Sequence, residues 1–177
     1  LLFMSAGAVV SATHTRNIEE YGGLAKRMPQ TAFLFLIGAI AISGIIPFNG
    51  FVSEWLTFQS LIGGFSSFDV ATKSIFVLGV VALALTGGLA AACFVKAFGV
   101  TFLARPRSTG ALYAHEADMG MRLAMAPLAV LALLFGIFGA PLARIFMGVA
   151  TSLLHSPLLP LASGTQGYWH ALTVRDG

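Results

Sequence analysis

The chain has 177 residues, of which 57% are hydrophobic and only 10% are charged, and its net charge is +3. Soluble domains carry roughly 25% charged residues, so this composition excludes an ordinary soluble protein and favours one that lies in a lipid bilayer. The basic residues stand at the ends of apolar segments rather than in one patch, which argues against nucleic acid as a partner.

Four apolar segments predict an all-α, polytopic bundle, with helices over about residues 1–12, 31–62, 74–104 and 123–154. The first would cover only about 18 Å, against about 30 Å of bilayer core, so we expect it to end a longer helix within a larger protein. Each of the other three exceeds the roughly 20 residues that a span requires. We therefore assign residues 1–154 to one transmembrane domain and residues 155–177, with their Pro, Gly and Ser, to an extracytoplasmic tail or loop.

The basic residues also predict an orientation. The loops 14–30 and 105–122 each carry three Lys or Arg residues, whereas the loop 63–73 carries only Lys73. The positive-inside rule then places the first two loops in the cytoplasm and the tail outside, after three complete crossings.

The second segment contains a predicted helix break at Pro47, Asn49 and Gly50. Proline removes a backbone donor and clashes with the preceding turn, and the nearby glycines weaken the helix further. We expect two helical pieces with a non-helical break between residues 43 and 51. A backbone freed in this way is tolerated at membrane depth only where protein or a water-filled cavity satisfies it.

Glu54 follows this break within the same apolar run and is the strongest candidate for a proton path. A carboxylate at membrane depth costs several kcal/mol unless it is paired, hydrated or protonated, so such residues usually mark ion or proton routes. The alternative is an interfacial carboxylate that reaches water directly.

Two further ionisable residues are candidates for the same path. Lys96 lies in an apolar run in the cytoplasmic half of the third segment, where it either snorkels to the interface or ends a hydrated route. It lies in the opposite leaflet from Glu54, so a direct pair is not expected. His14 follows the first segment and is either a relay or a solvated loop residue. We interpret Glu116 and Asp118 as solvated loop charges.

Residues that hold cofactors are scarce. The single cysteine, Cys93, lies in an apolar run, which argues against a disulfide framework and a cysteine-based metal or iron–sulfur site. The four histidines lie outside the apolar runs, so no pair is placed to bracket a haem. Motifs for phosphate binding, zinc binding or nucleophilic catalysis are absent from the sequence. We expect no catalytic residue, metal or cofactor in this chain.

Several stretches together resemble a known family. They are Leu1-Leu2-Phe3-Met4-Ser5-Ala6-Gly7, His14-Thr15-Arg16-Asn17-Ile18, Tyr21-Gly22-Gly23-Leu24, Met28-Pro29 and the run from Pro47 through Gly50-Phe51-Val52-Ser53-Glu54. This order resembles the antiporter-like, proton-translocating membrane subunits of respiratory complex I and its relatives. Residues 91–99 and 102–108 resemble the B-type subunits of hydrogenase-4 and formate hydrogenlyase, in the group 4 membrane-bound hydrogenase branch.

The resemblance implies a membrane-arm subunit that translocates protons when partner subunits transfer electrons. The family's fold consists of two inverted halves, each with a broken helix, and the second segment matches the broken helix of the second half. The residue matching Glu54 is glutamate in some members and lysine in others, and it ends a hydrated chain of charged residues.

The implied partners are other membrane subunits and a hydrophilic arm that carries iron–sulfur clusters and a [NiFe] centre. This chain would then be a non-catalytic subunit of an oxidoreductase, multi-pass in a prokaryotic cytoplasmic membrane. Two other functions remain open: a subunit of a multisubunit Na⁺/H⁺ antiporter, and a purely structural membrane anchor.

Overall fold

A computed structural model describes residues 1–63 and 70–154, and the tail predicted at 155–177 lies outside the described residues. Seven α-helices are present in those ranges: α1 (Leu2–Thr13), α2 (Pro29–Ile42), α3 (Asn49–Gly63), α4 (Val70–Phe98), α5 (Thr109–Leu112), α6 (Met119–Ile137) and α7 (Gly139–Leu154). α4 continues into a π-helical turn, Gly99–Leu103. The described residues form no strand, and the predicted all-α fold is confirmed.

Two helical stretches are long and apolar enough to cross a membrane, by length and composition: Lys73–Leu103 and Met119–Ile137. Few of their side chains are fully buried within the chain, and α4 exposes Leu78, Leu85 and Leu89 among others. α1 and α2 are shorter apolar helices. Apolar helices that find no cover in their own chain need lipid or other helices around them.

The predicted break in the second segment is confirmed, because α2 ends at Ile42 and α3 begins at Asn49. Gly44, which has φ 66°, ends α2. Its N–H donates to the carbonyl of Ala41, and the N–H of Ile45 donates to the carbonyl of Ile40. This pair of bonds is a Schellman motif, in which a left-handed glycine satisfies the last carbonyls of a helix.

The prediction of one helix over residues 123–154 is wrong. α6 ends at Ile137, Phe138 leaves the helical conformation (φ −95°, ψ 22°), and α7 begins at Gly139. Pro141 explains the interruption. A continuous helix would need the N–H of residue 141 to bond the carbonyl of Ile137, and proline has none, whereas it is tolerated in the first turn of a new helix.

The loops that precede α2 and α6 meet at one end of the bundle. Gly22 packs against the carbonyl of Arg105, and a β-carbon on Gly23 would lie 2.7 Å from Cδ of Pro106. A β-carbon on Gly110 would likewise lie 2.7 Å from the carbonyl oxygen of Thr13. The structure therefore brings the two basic loops together, while their placement in the cytoplasm stays a prediction.

Most of the buried core lies near this loop end. It contains Ala8, Val9, Tyr21, Leu24, Met28, Ala32, Phe35, Ala39, Phe102, Ala111, Ala114 and Ala117. The ring of Phe102 packs at a tilt on two others: its centroid lies 5.3 Å from that of Phe35 and 5.2 Å from that of Phe98, which borders the core. α2 is central, with contacts to α1, α4 and α6, and α3 packs against α4 and α6 beyond the break.

Candidate proton-path site

The carboxylate of Glu54 lies between two glycines from different elements. On one side is Gly44, in the break: a β-carbon built there would overlap Oε2 of Glu54 and lie 2.7 Å from Cδ and 3.0 Å from Oε1. On the other side is Gly87 of α4, where a β-carbon would lie 3.7 Å from Oε2 and 3.8 Å from Oε1. We call Gly44, Glu54 and Gly87 the glycine notch.

Chain geometry explains why these three residues meet. Glu54 lies in the second turn of α3, and the break folds α3 back against the end of α2, with Gly50 packed on the carbonyl of Ala41. α4 runs antiparallel to α3, so that Gly79 faces Leu61 while Gly87 faces Glu54. The absence of a side chain at residue 44 is what lets the carboxylate occupy the space between the two backbones.

Glu54 is half-buried, and within the described ranges no hydrogen bond or ion pair joins its side chain to another residue. An ionised carboxylate in low dielectric needs a cation, a proton or water to stabilise it. A carboxylate without a fixed cation can exchange a proton or a small cation as conditions change. Binding and release of a cation is the chemistry that this arrangement supports.

The break is covered by the joint between α6 and α7. Gly136 packs against the carbonyl of Pro47, and a β-carbon there would lie 2.7 Å from Cα of Phe48. Gly139 packs against the side chain of Val52. Protein atoms therefore cover one side of the freed backbone, while Ile45 and Ile46 are exposed within this chain.

The three residues predicted to form the break differ in position. Pro47 lies within the break, whereas Asn49 and Gly50 are the first residues of α3. The side chain of Asn49 is exposed and makes no hydrogen bond to the described residues. Gly50 is needed for the close packing on α2 rather than for a non-helical backbone.

The structure does not bring Lys96 to Glu54. Lys96 follows Gly87 by nine residues, about two and a half turns and about 14 Å along α4. It therefore points to the face of α4 opposite Gly87, and it is exposed. The expectation that these two residues form no direct pair agrees with this geometry.

His14 also lies apart from the notch. It caps the C-terminus of α1 in a left-handed conformation, with φ 58°, and its N–H donates to the carbonyl of Val10. Its side chain is exposed among the loops, at the end of the bundle where α2 begins. The length of α2, about 21 Å, separates that end from the break.

Glu116 makes polar contacts that the sequence did not predict. The interpretation of this residue as a solvated loop charge is wrong. Its carboxylate accepts hydrogen bonds from the N–H of Gln30 at 3.0 Å, the N–H of Thr31 at 3.2 Å and the hydroxyl of Thr31 at 2.6 Å. It thus caps the N-terminus of α2. One feature of the sequence could have indicated this contact. Met28 precedes Pro29 at the start of α2, and its side chain cannot cap a helix, so another residue has to do so.

Burial raises the pKa of Glu116, but the hydrogen bonds from Thr31, Gln30 and Ala117 lower it by more, so that it lies below its ordinary value of 4.5. Arg122, in the first turn of α6, donates to Oε1 of Gln30 at 2.7 Å. The starts of α2 and α6 are therefore joined through charged and amide side chains.

Residues 1–86 match the family described as NADH:quinone oxidoreductase/Mrp antiporter, transmembrane. Hydrogenase-4 component B of Escherichia coli is 46% identical over 164 residues, which cover 93% of this chain and 24% of that protein. Formate hydrogenlyase subunit 3 of Escherichia coli is 36% identical over 137 residues, covering 77% of this chain and 22% of that protein.

A third relative is a Na(+)/H(+) antiporter subunit of Alkalihalophilus pseudofirmus, 35% identical over 141 residues, covering 77% of this chain and 17% of that protein. The chain thus spans about a quarter or less of the length of these relatives. The predicted resemblance to the complex I and group 4 hydrogenase superfamily is confirmed, and the chain is a membrane protein.

Proposed function

The chain belongs to the NADH:quinone oxidoreductase/Mrp antiporter transmembrane family, and we propose that it forms part of a membrane-arm subunit that translocates protons. Electron transfer in partner subunits drives this movement. The similarity to hydrogenase-4 component B and formate hydrogenlyase subunit 3 supports a hydrogenase-type complex as the setting.

The observation that carries the proposal is the carboxylate of Glu54 in the glycine notch. It is half-buried, lies beside a broken helix, and has no ion-pair partner among residues 1–63 and 70–154. A group held in that way can accept a proton from one side of a barrier and release it to the other. A carboxylate that served only as structure would be expected to have a fixed hydrogen-bond donor, as Glu116 has.

The surroundings of the subunit follow from the same proposal. It crosses a prokaryotic cytoplasmic membrane several times and contacts other membrane subunits, which cover the exposed apolar faces of its helices. A hydrophilic arm with iron–sulfur clusters and a [NiFe] centre performs the redox chemistry. This chain holds no cofactor of its own and moves protons through ionisable side chains and water.

A second candidate is Na⁺ transport, which the similarity to a Na(+)/H(+) antiporter component favours. A carboxylate at a helix break also suits a sodium ion, since backbone carbonyls freed by a break are cation ligands. Proton transport and Na⁺ transport would both depend on Glu54 and differ only in the ion that is moved, so one assay tests both functions.

The test is Glu54→Gln in the native complex, with proton uptake into inverted membrane vesicles normalised to assembled complex and to redox turnover. Glutamine keeps the size and hydrogen bonding of glutamate but cannot ionise, so we expect proton translocation to fall while assembly is retained. Glu54→Lys should retain part of it, because the resemblance implies lysine at this position in other members.

Glu19→Gln is the matched control, because Glu19 is an exposed loop carboxylate outside the notch. Wild-type proton yield per electron in Glu54→Gln would reject Glu54 as a relay and favour a structural anchor. A yield that depends on added Na⁺, lost in Glu54→Gln, would favour sodium transport instead.

A further inference from the structure

We propose that Gly87 of α4 is a positioning residue for ion exchange at Glu54: lacking a side chain, it leaves the carboxylate oxygens open to water on the α4 side. The inference rests on the proposed function of Glu54 and adds to it a second residue, on a different helix. Gly87 itself exchanges no proton.

The two walls of the glycine notch are not equivalent. The Gly44 wall is closed, because even a single carbon atom added there would overlap the carboxylate of Glu54. The Gly87 wall is open by about the thickness of one methyl group, since a β-carbon there would lie 3.7 Å from Oε2 and 3.8 Å from Oε1. The side of the carboxylate that faces Gly87 therefore has more free space than the side that faces Gly44.

Helix packing alone does not require glycine at residue 87. A β-carbon there would make only ordinary van der Waals contacts, so alanine would fit without any shift of α3 or α4. Alanine would also favour the helix by about 1 kcal/mol over glycine. The contacts that a side chain at residue 87 would make are with the two oxygens of Glu54, and these are the atoms that ion exchange needs in contact with water.

A larger apolar side chain at residue 87 should exclude water from the carboxylate of Glu54. Gly87→Val would place methyl groups against Oε1 and Oε2 and displace water from that side. Gly87→Ser would instead add a hydroxyl that can donate a hydrogen bond to the carboxylate and pass a proton in the place of water. The rate of proton translocation should therefore depend on whether the group added at residue 87 is apolar or carries a hydroxyl.

Gly88 provides a matched control. It follows Gly87 in the same turn of α4, it is exposed, and a β-carbon there would have nothing within 4 Å. Gly88→Val changes helix propensity in the same way as Gly87→Val but adds nothing near Glu54. A difference between the two variants then reports on the notch rather than on α4.

The experiment compares Gly87→Val, Gly87→Ser, Gly88→Val and Glu54→Gln in the native complex, by proton uptake into vesicles at matched redox turnover. We expect Gly87→Val to lower the translocation rate by about tenfold, which corresponds to about 1.4 kcal/mol in the barrier. Gly88→Val should translocate like the wild type, and Gly87→Ser should retain most of the activity.

Infrared difference spectroscopy in D₂O measures a property that would stay unchanged if the role of Gly87 were only structural. The carboxyl band that is lost in Glu54→Gln identifies Glu54, and its deuterium exchange should slow in Gly87→Val but not in Gly88→Val. Equal translocation and exchange in Gly87→Val and Gly88→Val, with Glu54→Gln impaired, would overturn the role of Gly87 alone. Normal translocation in Glu54→Gln would instead reject the proposed function on which that role rests.

Discussion

The hydroxyl of Thr31 donates a 2.6 Å hydrogen bond to Oε1 of Glu116, joining the first turn of α2 to the loop before α6. α2 ends at the break that forms one wall of the glycine notch. The bond thus fixes the start of the same short helix whose end contacts Glu54. Its strength depends on the charge of Glu116, because a carboxylate accepts the three donors of the helix N-terminus better than a neutral group does.

Glu116→Gln should destabilise the chain by about 1 kcal/mol at neutral pH, the usual value of a helix cap. The pKa of Glu116 is lower in the folded chain than its ordinary value of 4.5. The charged cap therefore stabilises the fold fully above pH 4.5, and this contribution is lost as pH falls through the lowered pKa. Thermal unfolding in detergent at several pH values checks this.

The difference in stability between wild type and Glu116→Gln should shrink below pH 4.5. Glu19→Gln, at an exposed loop residue, should change stability little at any pH. A difference that stayed constant down to pH 3 would contradict a cap that works through its charge.

Much of the fold followed from local sequence, because apolar runs and a Gly–Pro interruption act over short distances. The break after Ile42 is an example, although the left-handed Gly44 ends α2 rather than Pro47. The second interruption, at Phe138, was missed because Pro141 stands inside an apolar run with no polar residue to mark a turn.

The parts that could not be predicted depend on contacts between residues distant in sequence. Glu54 was a candidate from its own surroundings, but Gly87 lies 33 positions away and only the pairing of α3 with α4 places it there. Glu116 meets Thr31 across 85 positions. Periodicity and composition carry no information on which glycine a carboxylate will face.

Phe102→Ala should destabilise the chain by about 3–5 kcal/mol, because Phe102 is fully buried and its ring packs on those of Phe35 and Phe98. Phe33→Ala is the control, since Phe33 is 62% exposed, and we expect it to have a small effect. Unfolding in detergent, followed by circular dichroism, measures both. Similar losses in the two variants would contradict a core built around Phe102.

Lys96→Met should translocate protons at close to the wild-type rate. Lys96 points away from the notch, to the opposite face of α4, and its flexible side chain can reach an interface. Vesicle proton uptake at matched redox turnover is again the measurement, with Glu54→Gln as the impaired reference. A loss in Lys96→Met comparable to that in Glu54→Gln would show that Lys96 belongs to the path in the complete protein.

Residues of the two basic loops should be labelled from the same side of the membrane. Thr15→Cys and Arg107→Cys, each in a background with the native exposed thiol removed by Cys93→Ala, place one reporter in each loop. Both should react with a membrane-impermeant maleimide in inverted vesicles and not in intact cells, because the loops meet and carry the positive charge. Labelling of the two reporters from opposite sides would contradict the observed loop contact.

Gly44→Ala should destabilise the fold for two separable reasons, which are backbone strain and overlap with the carboxylate of Glu54. A non-glycine residue at φ 66° costs about 1–2 kcal/mol, whatever its neighbours. The added carbon would also overlap the Glu54 side chain, and an overpacked contact costs about 1–3 kcal/mol more.

A double-mutant cycle separates the two terms. In a Glu54→Ala background the strain of Gly44→Ala remains but the overlap is gone, so Gly44→Ala should destabilise the wild type by more than it destabilises Glu54→Ala. Unfolding in detergent supplies all four stabilities. If Gly44→Ala cost the same in both backgrounds, the carboxylate of Glu54 would have room to move aside, and Gly44 would not be a wall of the notch.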